Sequence, residues 1–295
     1  MSISTSARRA VVADPRKELL KKFHTLARNH RTEQVFRDFI EAAAIELSNP
    51  VDKVHWEVRE KRYIEIFKRG YPKLEERLMF PQMFADLVAH MQTSGFEDTL
   101  GTLFTELELN NKNKGQFFTP YHLSSAMARM LVGDGADLRK QIAERGHITM
   151  MEPCCGAGGM ALAFVEACME AGIHYPDTVH VQAVDIDPLC VHMTYVQLSL
   201  RGVPAIVTVG DVLRMTYTAD WYTPTHILGG WGHRLRRGRD HDDAVTWWRD
   251  GSIATRARFL TEHGLAPALA RKSDPPAEIL PMLLALQERL AIAAE

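Results

Sequence analysis

The sequence predicts an α/β fold, a parallel sheet with helical crossovers, preceded by an all-helical segment. Three observations carry this expectation. Residues 148–152 form a short apolar, β-favouring run that ends in Glu152 and leads into the glycine cluster Gly156, Gly158 and Gly159, the pattern of a buried parallel strand and a tight loop. Further strand-like runs at 180–185 and 205–209 alternate with helical stretches, and such alternation implies a parallel sheet. Before about residue 110 apolar residues recur at helical spacing.

Composition sets the outer limits. A chain of 295 residues can bury a sizeable core and hold one large domain or two ordinary ones. Hydrophobic residues make up 46% and charged residues 24%, with a net charge of −2. A nucleic-acid contact would therefore have to come from a local patch. Residues 1–75 hold 16 Lys/Arg against 11 Asp/Glu, which a solvated helical surface explains as well as a binding face does. The cysteines Cys154, Cys155, Cys168 and Cys190 have neither zinc-knuckle nor disulfide-framework spacing, so they read as small buried hydrophobes. No metal site is expected. No apolar run reaches membrane-spanning length and no signal-peptide core is present, so a soluble, cytoplasmic protein is expected.

In chain order, 1–14 read as a polar arm and 15–48 as a helical pair broken near 29–32. Helices are expected over 51–68, with Pro50 in the first turn, then over 74–91 and 98–109. The polar stretch 110–115 is a break. A helix over 121–132 follows, then a loop with a short helical piece to 146, the strand at 148–152 and a helix reaching 172. Next come the strand at 180–185, a helix over 188–201, the strand at 205–209 and a short fourth strand at 225–228. The expected organisation is a helical domain at 1–110, an α/β core at 111–230 and a helical extension at 231–295.

The glycine loop is the first functional signal. Glycines at a strand-to-helix turn tolerate φ > 0 and remove the side chains that would keep a ligand off the backbone. With the following helix N-terminus they make a nucleotide-type site, although a plain tight turn would look the same. Asp185 ends the second strand, where an acid can accept from ribose hydroxyls. Asp187 before Pro188 reads as a helix cap. Asp211 ends the third strand.

The order Gly115-Gln116-Phe117-Phe118-Thr119-Pro120, then Glu152-Pro153-Cys154-Cys155-Gly156-Ala157-Gly158-Gly159-Met160, then Asp185-Ile186-Asp187, then Gly210-Asp211 resembles the adenine-specific DNA methyltransferases of the type I restriction modification-subunit kind. The helical region around Phe104-Thr105-Glu106-Leu107 resembles theirs too, and the likeness covers roughly 75–215. It implies a Rossmann-like, S-adenosylmethionine-dependent methyltransferase fold. It also implies roles. Phe118, Thr119 and Pro120 would pack around the methionine end of S-adenosylmethionine, and Glu152 would face its ammonium group. Gly156 and Gly158 would admit the cofactor, Asp185 would hold the ribose hydroxyls and Asp211 would accept from the adenine amino group. Acids facing the ligand suit a sulfonium with an ammonium group and would repel a phosphate.

The chain departs from that family where the acceptor should be held. Its members carry an Asn or Asp, two prolines and an aromatic after the fourth strand, which grip the target amine and stack on a flipped base. Here the expected fourth strand runs into Gly229-Gly230-Trp231, so Gly229, Gly230 and Trp231 are the remaining candidates for catalysis. Asp274-Pro275-Pro276 lies far downstream with Ala277 in the aromatic position, and reads as a linker before a last helix. Between them lie Arg234, Arg236, Arg237 and Arg239 with Trp247 and Trp248, which read as cover for a sheet edge, with phosphate and base binding as the alternative. His241-Asp242-Asp243 reads as acids at a helix start. Helices are expected over 244–263 and 277–294, leaving no apolar β runs for further strands, so a truncated sheet is expected. Two functions follow as alternatives: an adenine-specific methyltransferase homologue acting on DNA, or a catalytically degenerate binding or decoy module in restriction, anti-restriction or regulation. A specificity-subunit or other protein partner and self-association are the expected protein contacts.

Overall fold

The computed structural model describes residues 14–109 and 118–236, and Thr261. The chain divides into two compact units, Met1–Gly229 and Gly230–Glu295. The polar arm, Gln116 and Phe117, the basic segment beyond Arg236, and Asp274-Pro275-Pro276 with both C-terminal helical expectations lie outside the described residues.

The first unit opens with five helices, α1 (Pro15–Leu26), α2 (Thr32–Ser48), α3 (Trp56–Gly70), α4 (Leu74–Ser94) and α5 (Thr99–Glu106). Asp14 caps α1 by accepting from Arg16 N at 3.1 Å, ahead of Pro15 at the first helical position. The apolar stripe of α2, with Val35, Phe36, Phe39 and Ile40 buried, meets Phe23 of α1 edge to face at Phe39, so amphipathic period and aromatic packing agree.

Two of the boundaries that differ from expectation have a local cause. Helix α3 starts at Trp56 because Asp52 organises a turn ahead of it, accepting from His55 N at 3.3 Å and pairing with Arg59 at 2.7 Å. Helix α5 stops at Glu106 because Glu108 turns left-handed (φ 55°) and Leu109 N closes back on Phe104 O.

Two more helices, α6 (Tyr121–Val132) and α7 (Ala136–Arg145), lead into β1 (Ile148–Glu152). Then follow α8 (Gly159–Glu170), the short α9 (Tyr175–Thr178), β2 (Val179–Asp185), α10 (Pro188–Leu200), β3 (Ala205–Asp211), β4 (Thr216–Tyr222) and α11 (Pro224–Leu228). The sheet order is β1-β2-β3-β4, with the first three strands parallel and β4 antiparallel to β3. Helix α10 packs on β2, β3, α2 and α5, and ten of its residues are buried, from Leu189 to Leu198. It joins the helical segment and the sheet in one continuous cluster of buried residues.

The expected strand at 225–228 is helix α11. Thr223 caps it through its side chain and Pro224 supplies the first helical position, a pairing that starts helices and removes a ladder donor from a strand. The fourth strand lies earlier, in the β-branched and aromatic run Thr216–Tyr222, after a turn in which Met215 has φ 55°. The cysteine expectation also needs one correction. Cys155, Cys168 and Cys190 are buried, whereas Cys154 is exposed at the glycine loop. No described helix is long and apolar enough to cross a membrane.

Candidate functional site

The carboxyl ends of the three parallel strands bring their acids to one edge. Glu152 pairs in register with Ala183, two residues before Asp185, and Asp185 pairs with Val209, two residues before Asp211. The loop after β1 crosses this edge and is fastened from two sides. From β2, Val184 O accepts from Cys155 N and Asp185 Oδ2 accepts from Gly156 N, both at 2.9 Å. From α10, Thr194 Oγ1 donates to Gly156 O at 2.9 Å and Gln197 Nε2 donates to Ala157 O at 2.7 Å. Two glycines are required by this path. Gly156 has φ 54° with Phe118 Cδ1 only 3.0 Å from where a β-carbon would sit. Gly158 has φ 96° and backs onto Thr194 at 3.1–3.3 Å. A side chain at either would strain the backbone and crowd its neighbour.

Between this loop and the start of α6 lies a cleft of about 180 Å³. Its walls include Phe118, Thr119, Glu152, Gly156, Asp98 and Ser124. Phe118 is set by an edge-to-face contact with Phe104 of α5, 5.3 Å between ring centres. Pro120 precedes the first residue of α6. Glu152 Oε1 accepts from Cys154 N at 3.3 Å.

Of the residues expected at a cofactor site, Phe118, Thr119, Glu152 and Gly156 share the cleft. Gly158 stands behind it and Pro120 beside it. Asp185 is occupied by two backbone donors, Gly156 N on Oδ2 and Asp187 N on Oδ1, each at 2.9 Å. Its first structural effect is therefore to fix the loop, leaving one lone pair on each oxygen. Asp211 accepts from Leu213 N and Arg214 N at 3.0 and 3.1 Å, closing the turn into β4. Asp187 caps α10, accepting from Leu189 N at 2.9 Å.

Of the candidates after α11, Gly229 is not brought to the cleft. Because β4 runs antiparallel, it delivers the chain to the amino end of β3, where Thr223 Oγ1 accepts from Ala205 N and donates to Val203 O. His226 of α11 meets His180, near the amino end of β2, at 2.9 Å. Gly229 follows directly, so it lies at the end of the sheet opposite the glycine loop. Gly230 and Trp231 begin the second unit, where Trp231 is buried and the Arg234 guanidinium lies 3.9 Å from its ring centre.

Sequence reasoning missed the cleft's buried polar residues. Asp98 caps α5 and is 5% exposed. Its Oδ1 accepts from Gly101 N and from Gln197 Nε2, both at 2.8 Å, and Gln197 Oε1 in turn accepts from Leu100 N at 3.2 Å. Burial pushes the Asp98 carboxyl up, opposed by the Gln197 and Gly101 donors. The signal in the sequence was Gln197, a polar side chain within the apolar run of α10, where a fully buried amide needs partners. Burial pushes the Cys155 thiol up, which disfavours the thiolate form. Among the described residues no cluster of His, Cys, Asp and Glu could hold a metal ion.

A larger cleft, about 500 Å³, lies between α2, α3 and β4. Its arginines are already paired, Arg62 with Glu41 and Arg59 with Asp52. The smaller cleft instead gathers polar groups around a glycine backbone, which lets a polar ligand approach the main chain closely.

A mixed α/β domain with a glycine loop and acids at the strand ends is thus the class to which this chain belongs. The match is more specific than the class: residues 96–226 match the N-6 DNA methylase family model. That match makes this stretch of the chain similar to DNA N-6 methylases and supports a methyltransferase-like α/β domain. No curated protein and no solved structure matches it.

Proposed function

We propose that the cleft binds S-adenosylmethionine on a Rossmann-like sheet and that the chain is a homologue of adenine-specific DNA methyltransferases. The observation that carries this reading is the cleft itself: acids and buried polar atoms around a backbone without side chains at Gly156 and Gly159. A sulfonium cofactor with an ammonium group fits such a lining, and an anionic nucleotide does not. Bound there, the cofactor would supply an activated methyl group.

The residues divide the work. Phe118, Thr119 and Pro120 surround the methionine end, and Glu152 faces its ammonium group. The free lone pairs of Asp185 accept from the ribose hydroxyls while its other contacts keep the loop in shape. Asp211 reaches the adenine amino group by the same logic. Acting on DNA, the protein would methylate the exocyclic amine of a flipped adenine by direct transfer. A specificity-subunit-like partner and self-association belong to this proposal, as does the division of the chain near residues 110 and 230.

A second reading rests on α11. The position that should present an acceptor-holding motif to the cleft is a helix at the far end of the sheet, and no described residue replaces that motif. A module that binds cofactor and partners without transferring a methyl group is the alternative. Titration calorimetry of the full chain with S-adenosylmethionine tests the shared premise, which absence of binding would sink. Radiolabelled methyl transfer to adenine in unmodified DNA then separates the readings: incorporation supports the enzyme, while background counts with intact binding support the module.

A further inference from the structure

The floor of the cleft contains two polar side chains beyond those assigned to the cofactor. Ser124, in the first turn of α6, is 1% exposed and its Oγ has no hydrogen-bond partner among the described residues. Buried hydroxyls are normally satisfied, so an unpaired one lining a cleft marks the place of a missing partner. Asp98 is the second. Its Oδ1 is taken by Gly101 N and Gln197 Nε2, whereas Oδ2 accepts from no donor among the described residues and lies between Gly101 and Gly159, 2.1 and 3.3 Å from where a β-carbon would be placed on each. A helix cap needs one oxygen, and here the second is left toward the glycine backbone.

We infer that Asp98 and Ser124 seat the α-amino-acid end of the cofactor, Asp98 Oδ2 accepting from its ammonium group and Ser124 Oγ donating to its carboxylate. This rests on the proposed cofactor site and adds two ligand contacts to it. The pairing follows from chemistry: a carboxylate can only accept, so it takes the ammonium, and a hydroxyl can donate to the opposite charge. The twelve-residue helix α6 reinforces the second contact, because its first backbone N–H groups have no intrahelical acceptor and its positive end favours a carboxylate. Glu152 remains the acid on the strand side, so the ammonium is flanked by one carboxylate from β1 and one from the α5 cap. Gln197 is a positioning residue: by donating to Asp98 Oδ1 it fixes which oxygen is left for the ligand.

The test uses the full chain and two ligands, S-adenosylmethionine and 5′-methylthioadenosine, which keeps the adenosine and the sulfur but lacks the amino-acid arm. In Asp98→Asn the amide can keep its oxygen toward Gly101 and Gln197 and turn an NH2 group toward the ammonium. Loss of a charge-assisted hydrogen bond predicts S-adenosylmethionine binding weaker by about 10- to 100-fold, with 5′-methylthioadenosine affinity unchanged within about twofold. Ser124→Ala should weaken the first ligand about 3- to 10-fold and leave the second alone, and it keeps the proposal testable if Asp98→Asn does not fold. Parallel weakening of both ligands would overturn the proposal, because it would mean that Asp98 only shapes the loop. Wild-type affinity of both variants for S-adenosylmethionine would overturn it as well, with the cofactor reading intact. A wild-type chain that binds neither ligand would instead bring down the cofactor reading and this inference with it.

Discussion

Substituting Gln197 by Met removes every hydrogen bond that joins the Gln197 side chain of α10 to the α5 cap and the glycine loop while nearly preserving shape. Gln197 is fully buried and makes three contacts, with Leu100 N at 3.2 Å, Asp98 Oδ1 at 2.8 Å and Ala157 O at 2.7 Å. Asp98 keeps its Gly101 donor, so the loss there is an ordinary hydrogen bond, about 1 kcal/mol. The Leu100 N–H and the Ala157 carbonyl are left buried without that partner, at roughly 1–3 kcal/mol each. Methionine fills a similar volume, which keeps the packing change under about 1.5 kcal/mol. The expected destabilisation is thus about 3–8 kcal/mol, read as a lower urea midpoint by circular dichroism at an unchanged m-value. Amide hydrogen exchange at Leu100 should accelerate. A loss below about 1 kcal/mol would refute the reasoning, since it would mean that these bonds contribute no more than a surface contact.

Two further outcomes are expected. Gly158→Ala places a β-carbon at φ 96° within 3.1–3.3 Å of Thr194, and should cost about 1–3 kcal/mol and abolish S-adenosylmethionine binding; calorimetry showing native affinity would contradict the close-approach role of the loop. Stability should fall as pH drops from about 6.5 toward 4, because burial lowers His192 and His226 to about 4 while the unfolded chain takes up protons at the ordinary histidine range. The contribution is at most about 1.4 kcal/mol per pH unit for each histidine. Asp38 and Asp98, pushed up by burial, give a slope of opposite sign above the ordinary carboxylate range, so the decisive comparison is His192→Phe, whose unfolding free energy should vary less with pH than the parent's.

Much of the α/β pattern was legible because its signals are local. The run 148–152 and the helix 121–132 have the bounds that periodicity indicates, and Asp187 before Pro188 caps a helix as its residue type requires. The glycine loop announced itself for the same reason, since only glycine adopts such backbone without strain. The fourth strand was misplaced because Thr225–Leu228 is apolar enough for either state. What decided it was the Thr223 cap with Pro224, which favours helix, and the pairing of Thr216–Tyr222 with β3, which no local pattern encodes.

By itself, then, the sequence determined the positions of the first three strands, the glycine loop and the three acids at the strand ends, because each follows from backbone preference or burial within a few residues. Only the tertiary structure decided how those acids are used and what surrounds the loop. Asp185 and Asp211 are tied to backbone donors, while Asp98 of the α5 cap and Ser124 of α6 line the cleft and Gln197 of α10 holds Asp98 from behind. Their meeting depends on contacts between residues up to 99 positions apart. The structure also carries α11 to the end of the sheet opposite the glycine loop, because the antiparallel direction of one strand reverses the chain.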